Sequence, residues 1–134
     1  MSTSLAQIKE WLARLPVSTA ECGGRTYYYI DDNQTYDQGI PKCLFLAGFD
    51  QLLLAHEKKE SLFLTQENLR AIFNLAGIVM PALMIDGEVA GKWKKKNKKL
   101  LITMFKTISP LEKNMITDFA VSLWGDIESI SFNE

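Results

Sequence analysis

The chain has 134 residues, enough for one ordinary domain or for a small domain with a flanking piece. Hydrophobic residues make up 47% and charged residues 23%, proportions of a globular protein that argue against disorder. The net charge of -1 conceals an asymmetry, because six of the fifteen basic residues lie in the acid-free window 92–99. A basic cluster of +6 therefore sits on a remainder of -7.

Several classes of protein are excluded by simple patterns. No apolar run approaches the roughly 18 residues of a membrane span, and no basic region followed by an apolar run marks a secretory signal. With one histidine and two cysteines outside a CxxC pattern, a Cys/His zinc site cannot form. Because the glycine signatures of nucleotide sites are also absent, we expect a cytoplasmic protein with no metal, no cofactor and no membrane partner. We expect Cys22 and Cys43 to be reduced, with a disulfide between them as the alternative.

The N-terminal part predicts a helix followed by a β-hairpin. Apolar residues recur at helical spacing over 4–15, where Ser4 can cap the start and Pro16 ends the pattern. Two strand-like runs then flank Gly23 and Gly24, which suit a tight turn. A helix leading into a hairpin is typical of the closing half of a winged helix, so residues 1–30 are predicted to be a winged-helix-like remnant.

The polar segment 31–42 contains a glycine and a proline and is predicted to be a linker. Residues 43–134 are predicted to form a small antiparallel β-sheet or barrel with one internal and one C-terminal helix. Residues 43–46 form a buried strand, and 51–55 a second strand or short helix. The internal helix is expected over 66–74, after a cap at Thr65. The fold class is therefore α+β.

A β-meander is predicted over 78–105. Asp86-Gly87 is a strong hairpin signal between the strands 78–85 and 88–95. In the second strand, the buried positions are expected to be Val89, Gly91 and Trp93. The solvent-exposed positions are expected to be Glu88, Ala90, Lys92 and Lys94. A turn over 95–99 and a third strand over 100–105 complete the meander.

The C-terminal helix has clear boundary signals. Ser109, Pro110 and Glu112 form a capping box with proline at the first helical position, and Gly125 closes the helix. The tail 126–134 is expected to form a short strand or to fray.

The basic cluster is the main candidate site. Lysines on a strand-turn-strand unit can contact phosphates and release counterions without reading base sequence. Two alternatives remain open, namely a solvated turn that protects a sheet edge and contact with another acidic partner. Trp93 lies at one of the predicted buried positions of its strand and is expected in the core. The predicted nucleic-acid-binding residues are Lys92, Lys94, Lys95, Lys96, Lys98 and Lys99.

Three acids and the single histidine are weaker candidates. Asp50 lies between apolar residues, where it either caps the turn 47–50 or has a functional role. His56 is either a structural histidine or a catalytic base. Asp31 and Asp32 lie in a loop without the spacing of an acid/base pair, so no catalytic residue is predicted.

The order of motifs resembles the C-terminal region of the winged-helix DNA-binding proteins related to crosslink-repair DNA glycosylases. In that family a Phe-Asp or Trp-Asp turn leads into a leucine-rich segment ending near His, followed by a Pro-x-Leu-x-Val/Ile-Asp-Gly-Arg-Val-x-Gly-x-Trp string. The resemblance covers about residues 43–124. The matching positions here are Phe49, Asp50, His56, Pro81, Leu83, Ile85, Asp86, Gly87, Val89, Gly91 and Trp93.

The resemblance implies winged helices followed by a small antiparallel β-domain that acts on duplex DNA. The glycosylases of the family use a Gln-x-Gln or Gln-x-Asp pair, and none of the five glutamines here lies in either pattern. Glu88 replaces the family's usual arginine, while Glu57 and Glu60 dilute the basic residues after His56.

Three functions follow as hypotheses. The first is a DNA-binding module without catalysis that contacts the backbone non-specifically. The second is a diminished DNA glycosylase that uses Asp50 or His56 and needs a separately encoded N-terminal half. The third is a structural domain that forms a homodimer.

Overall fold

A computed structural model of the protein describes residues 3–35 and 39–133 and confirms the α+β class. The chain divides into two compact units, Met1–Gly39 and Ile40–Glu134. This division falls inside the predicted linker 31–42, and the three-part division into domains stays a prediction. Within the described ranges, no helix is long and apolar enough to cross a membrane.

The first unit contains one helix and one hairpin. Helix α1, Leu5–Leu12, begins with a capping box in which Ser4 and Gln7 bond each other's backbone N–H groups. Strands β1, Ser18–Cys22, and β2, Arg25–Tyr29, pair antiparallel around Gly23 and Gly24, which both have positive φ. No described residue of this unit is buried. Its identity as a winged-helix remnant stays a prediction.

The second unit contains the elements β3 Cys43–Leu46, β4 Ala82–Ile85, β5 Glu88–Lys96, β6 Lys99–Met104, α4 Pro110–Trp124 and β7 Ser129–Asn133. Its five strands form one sheet with the order β3-β4-β5-β6-β7. The strands from β3 to β6 pair antiparallel, as predicted. The tail, predicted to be a short strand or to fray, forms strand β7, which pairs with β6 in parallel, so the sheet is antiparallel except at this edge. The cause is helix α4, a crossover of the kind that parallel neighbours require.

The segment between β3 and β4 is less regular than predicted. It contains the short helices α2, Gln51–Leu54, and α3, Leu69–Ile72, with 3₁₀ turns at Lys58–Glu60 and Gln66–Asn68. The expected helix 66–74 is therefore mostly a 3₁₀ turn and one α-turn. Thr65 does not cap it, because its hydroxyl accepts a bond from the Asn68 amide instead.

Both faces of the sheet are covered, but by different elements. We call the face under α4 the helix face. Its core contains Cys43, Leu83, Ile85, Ala90, Leu100, Ile102, Met104, Ile108, Ile116 and Ala120. On the opposite face, the segment between β3 and β4 covers β3, β4 and the start of β5. That second core contains Leu46, Leu53, Leu64, Ile72, Phe73, Val79, Ala82, Met84 and Val89.

A β-bulge at Ala90 changes the predicted alternation. Met84 pairs with Val89 and Leu83 with Gly91, so Ala90 is the extra residue. Ala90 is buried in the helix-face core, and Val89 is buried in the core on the opposite face. The prediction that Ala90 is exposed to solvent is therefore wrong. After the bulge, alternation places Trp93 on the helix face and Lys92 and Lys94 on the opposite face.

Candidate nucleic-acid interface

The basic cluster is mostly strand rather than turn. Strand β5 extends through Lys96 and β6 begins at Lys99, so only Asn97 and Lys98 connect them. Asn97 takes the left-handed conformation, with φ 53°, that a tight connection needs. The predicted turn over 95–99 is therefore shorter, and the regular strand spacing fixes where most of the lysines point.

Four of the six lysines share one face of the sheet. Lys92, Lys94 and Lys96 alternate along β5, and Lys99 pairs with Lys96 across the hairpin. We call this set the lysine face; it lies opposite the helix face. Lys92 is half-buried and the other three are exposed. Among the described residues, none of the four forms an ion pair, so their charges are available to a ligand.

The other two predicted lysines point elsewhere and have acidic neighbours. Lys95 pairs with the core residue Leu100, and its Nζ lies 4.0 Å from Asp126 Oδ1. It also donates a bond of 2.7 Å to the carbonyl of Asn97. Lys98 Nζ lies 3.1 Å from Glu128 Oε1. The structure therefore separates Lys95 and Lys98 from the lysine face.

Strand β7 adds polar residues that the sequence did not identify. Its parallel register places Ser129, Ser131 and Asn133 on the same side as the lysine face, beside Lys99, Leu101 and Thr103 respectively. No acidic residue lies in these rows. The alternating Ser-Ile-Ser-Phe-Asn pattern was a signal of a half-buried strand, but only the pairing with β6 shows which surface its polar side extends.

Trp93 supports the sheet from the helix face. Its indole N–H donates a bond of 2.9 Å to the carbonyl of Leu46. Its ring lies 5.9 Å from the Phe45 ring and 5.2 Å from that of Trp124. The expectation that Trp93 belongs to the core rather than to a base-stacking surface is confirmed.

The acidic candidates have local structural roles. Asp50 caps α2, and its Oδ1 accepts a bond of 2.9 Å from the backbone N–H of Leu52. Asp31 and Asp32 each accept a backbone N–H two residues ahead, from Asn33 and Gln34. These are loop-forming contacts rather than the geometry of an acid/base pair.

His56 is half-buried, and its ring lies 5.9 Å from that of Phe63. This contact fits the structural interpretation of the histidine. A functional role for Asp50 or His56 stays a hypothesis.

The two cysteines are free thiols in different environments. Cys22 is exposed and Cys43 is buried, and burial raises the pKa of the Cys43 thiol to about 11. Cys43 lines a groove of about 520 Å³ between β3 and α4, together with Met115 and Phe119. A thiol with so high a pKa is a poor nucleophile.

Within the described ranges, no three potential metal ligands come together.

Comparison with known proteins gives consistent matches. Residues 1–118 match the family model described as "DNA glycosylase AlkZ-like". A curated relative, the "Interstrand DNA cross-link repair glycosylase" of Streptomyces sahachiroi, is 27% identical over 109 residues, 78% of this chain and 29% of its own length.

A solved structure shares the fold. The Streptomyces sahachiroi DNA glycosylase AlkZ superposes with a TM-score of 0.75 and 21% identity, over 97% of this chain and 38% of that one. The chain thus spans only about a third of the length of these relatives.

Proposed function

The chain belongs to the AlkZ-like DNA glycosylase family, and we propose that it is a DNA-binding module of that family without catalysis of its own. The observation that carries this proposal is the lysine face, in which four lysines project from one side of strands whose paired rows contain no acidic residue. A sheet face presents these charges in a fixed array, whereas a flexible tail does not.

The chemistry of lysine defines the expected mode of binding. Each ammonium group that contacts a phosphate releases condensed counterions, so affinity falls as salt rises. Phosphate contacts carry no direct sequence information. We therefore propose backbone binding with little sequence preference, confined to the lysine face because the chain outside the window 92–99 has a net charge of -7, and the other two lysines of that window lie beside Asp126 and Glu128.

Two matched lysine variants test the proposal. We expect Lys94→Gln, Lys96→Gln and Lys99→Gln together to reduce the slope of log K against log salt by about 2.7, or about 0.9 per lost contact. The control carries Lys95→Gln and Lys98→Gln, which are also in the cluster but point to Asp126 and Glu128. Fluorescence anisotropy with a labelled duplex at several salt concentrations measures both slopes.

The control variant should keep most of the slope. An equal loss in both variants would show that the cluster acts as a diffuse charge rather than through one face. Absence of salt-dependent binding by the unmodified chain would refute the proposal.

A catalytic role is the alternative that family membership itself favours, since the curated relative is named as a glycosylase. Chemistry by this chain would use Asp50 or His56, with a separately encoded N-terminal half supplying the rest. Release of a base from alkylated or crosslinked duplex, lost in Asp50→Asn or His56→Gln, would establish catalysis and overturn the non-catalytic proposal.

A role in self-association is favoured by the first unit. Large apolar side chains remain exposed on or directly after α1 and the hairpin, while no described residue of the first unit is buried. The exposed residues are Leu5, Ile8, Trp11, Leu15, Tyr28, Tyr29 and Ile30. Such a surface is typical of a protein interface.

A further inference from the structure

We infer that the polar side of β7, formed by Ser129, Ser131 and Asn133, is a second part of the nucleic-acid surface and hydrogen-bonds the same backbone that the lysine face binds. This inference rests on the proposed function. It assigns to β7 a binding role that its charge gives no reason to expect, since the three residues are neutral. We call them the polar row.

The sheet register places the polar row parallel to the lysines of β5. Three ladders cross from β5 through β6 to β7, and each begins with a lysine and ends with a hydrogen-bonding side chain. The ladders are Lys96–Lys99–Ser129, Lys94–Leu101–Ser131 and Lys92–Thr103–Asn133. The two rows therefore run side by side over the same length, although their strands run in opposite chain directions.

The distance between the rows suits a single backbone. Two strand spacings separate β5 from β7, or roughly 9.5 Å. A backbone that follows β6, between the two rows, is one strand spacing, or roughly 4.8 Å, from each of them. One stretch of sugar-phosphate backbone can therefore contact lysines on one side and the polar row on the other.

The polar row is available to a ligand. Ser129, Ser131 and Asn133 are exposed, and their side chains have no hydrogen-bond partner among the described residues. The alternate residues Ile130 and Phe132 pack against the helix-face core and hold the strand in place. The backbone N–H of Glu128 also donates a bond of 2.8 Å to the carbonyl of Lys98, which ties the start of β7 to the β5–β6 turn.

Hydroxyl and amide groups are common partners of phosphate and sugar oxygens. Because they are uncharged, their contacts release no counterions, and the slope of affinity against salt does not count them. The two rows therefore have separate signatures, since lysines set the slope and the polar row adds affinity that salt does not change.

The test combines Ser129→Ala, Ser131→Ala and Asn133→Ala. We expect duplex binding to weaken about tenfold or more, the least that the loss of three neutral hydrogen bonds predicts, while the salt slope stays that of the unmodified chain. The matched control is Asn114→Ala with Ser122→Ala, two exposed polar residues of α4, which should leave both quantities unchanged.

A second variant tests the inference even if the triple alanine variant disturbs the fold of β7. Ser131→Asp adds a negative charge at the centre of the row and should weaken binding far more than Ser122→Asp on α4. Thermal unfolding confirms that each variant is folded.

Unchanged affinity in the triple alanine variant, or equal effects of Ser131→Asp and Ser122→Asp, would overturn the inference. So would a reduced salt slope, since the residues would then act through the lysines. If the unmodified chain shows no salt-dependent binding, the proposed function itself fails, and that result is distinct from the others.

Discussion

Neighbouring lysines of β5 have opposite surroundings because side chains alternate between the faces of a strand. Lys94 and Lys96 project into solvent on the lysine face, while Lys95 between them lies on the helix face, near Asp126. In a flexible turn all three would have been equivalent. The proposed binding surface therefore depends on β5 extending as a regular strand to Lys96.

The backbone at Gly91 shows a second residue-scale constraint. A Cβ atom there would lie 2.6 Å from the carbonyl oxygen of Thr103 and 3.3 Å from the Cα of Met104. Any other residue would push β5 away from β6, next to the bulge at Ala90. Glycine at this position thus keeps together the two strands that carry the lysine face.

The two cysteines should differ in reactivity. At neutral pH we expect a thiol reagent to modify Cys22 rapidly and Cys43 only when the protein unfolds, because Cys43 is buried with a pKa near 11. Mass spectrometry of the labelled chain over time measures both rates. Cys22→Ser should remove the rapid phase, and two rapid phases in the unmodified chain would contradict the burial of Cys43.

The same pKa has a consequence for stability. The folded state raises the pKa of Cys43 from 9.0 to about 11, so it favours the neutral thiol. The stability that depends on a neutral Cys43 thiol is fully present below pH 9.0. The free energy of unfolding then falls as the pH rises toward 11.

At the scale of elements, α4 is defined by its ends. Ser109 Oγ accepts the N–H of Glu112, and the Glu112 carboxylate accepts a bond of 2.8 Å from the N–H of Ser109. Pro110 occupies the first helical position, and Gly125 ends the helix with φ 64°. These signals are local, so the sequence predicted both ends of the helix.

Removal of this cap should destabilise the fold. We expect Ser109→Ala to lower the free energy of unfolding by about 1 kcal/mol at neutral pH, as measured by urea denaturation. Ser122→Ala, an exposed serine within the same helix, is the control and should not destabilise it. A loss of the same size in both variants would contradict a specific role for the cap.

The effect should depend on pH. Hydrogen bonds from the Ser109 backbone and side chain lower the pKa of Glu112 from 4.5 and favour its charged form. The contribution of Glu112 is therefore present above pH 4.5 and is lost as the pH falls through its lowered pKa. The difference between Ser109→Ala and the unmodified chain should shrink over that acidic range.

At the scale of the whole molecule, the two units differ in how they bury apolar surface. The second unit has two cores, one on each face of its sheet. The first unit has none among its described residues and exposes the side chains of Trp11 and Tyr28 by 53% and 56%. This contrast predicts that α1 and the hairpin mediate association between copies.

Sedimentation at several concentrations measures that association. We expect the unmodified chain to become heavier as concentration rises, and Trp11→Ser with Tyr28→Ser to remain a monomer. The control is Leu111→Ser with Leu123→Ser, two exposed residues of α4, and it should leave association unchanged. Monomeric behaviour of the unmodified chain at all concentrations would rule out self-association through this surface.

Features that depend only on neighbouring residues could be predicted from the amino-acid sequence. The Ser109 capping box, the Ser4 cap, the Gly-Gly and Asp-Gly turns, and the acid-free lysine window follow from local chemistry and were predicted. The order of motifs around Asp86, Gly91 and Trp93 also identified the family.

Tertiary structure decided what depends on pairing between distant strands. The bulge at Ala90 determines which side chains of β5 pack into the helix-face core and which pack into the core on the opposite face. The crossover through α4 places β7 beside β6 in parallel. Register transmits these choices along whole strands, because a shift of one residue exchanges the two faces. The sequence therefore supplied the six basic charges, and the sheet decided that four of them share a surface with the polar row.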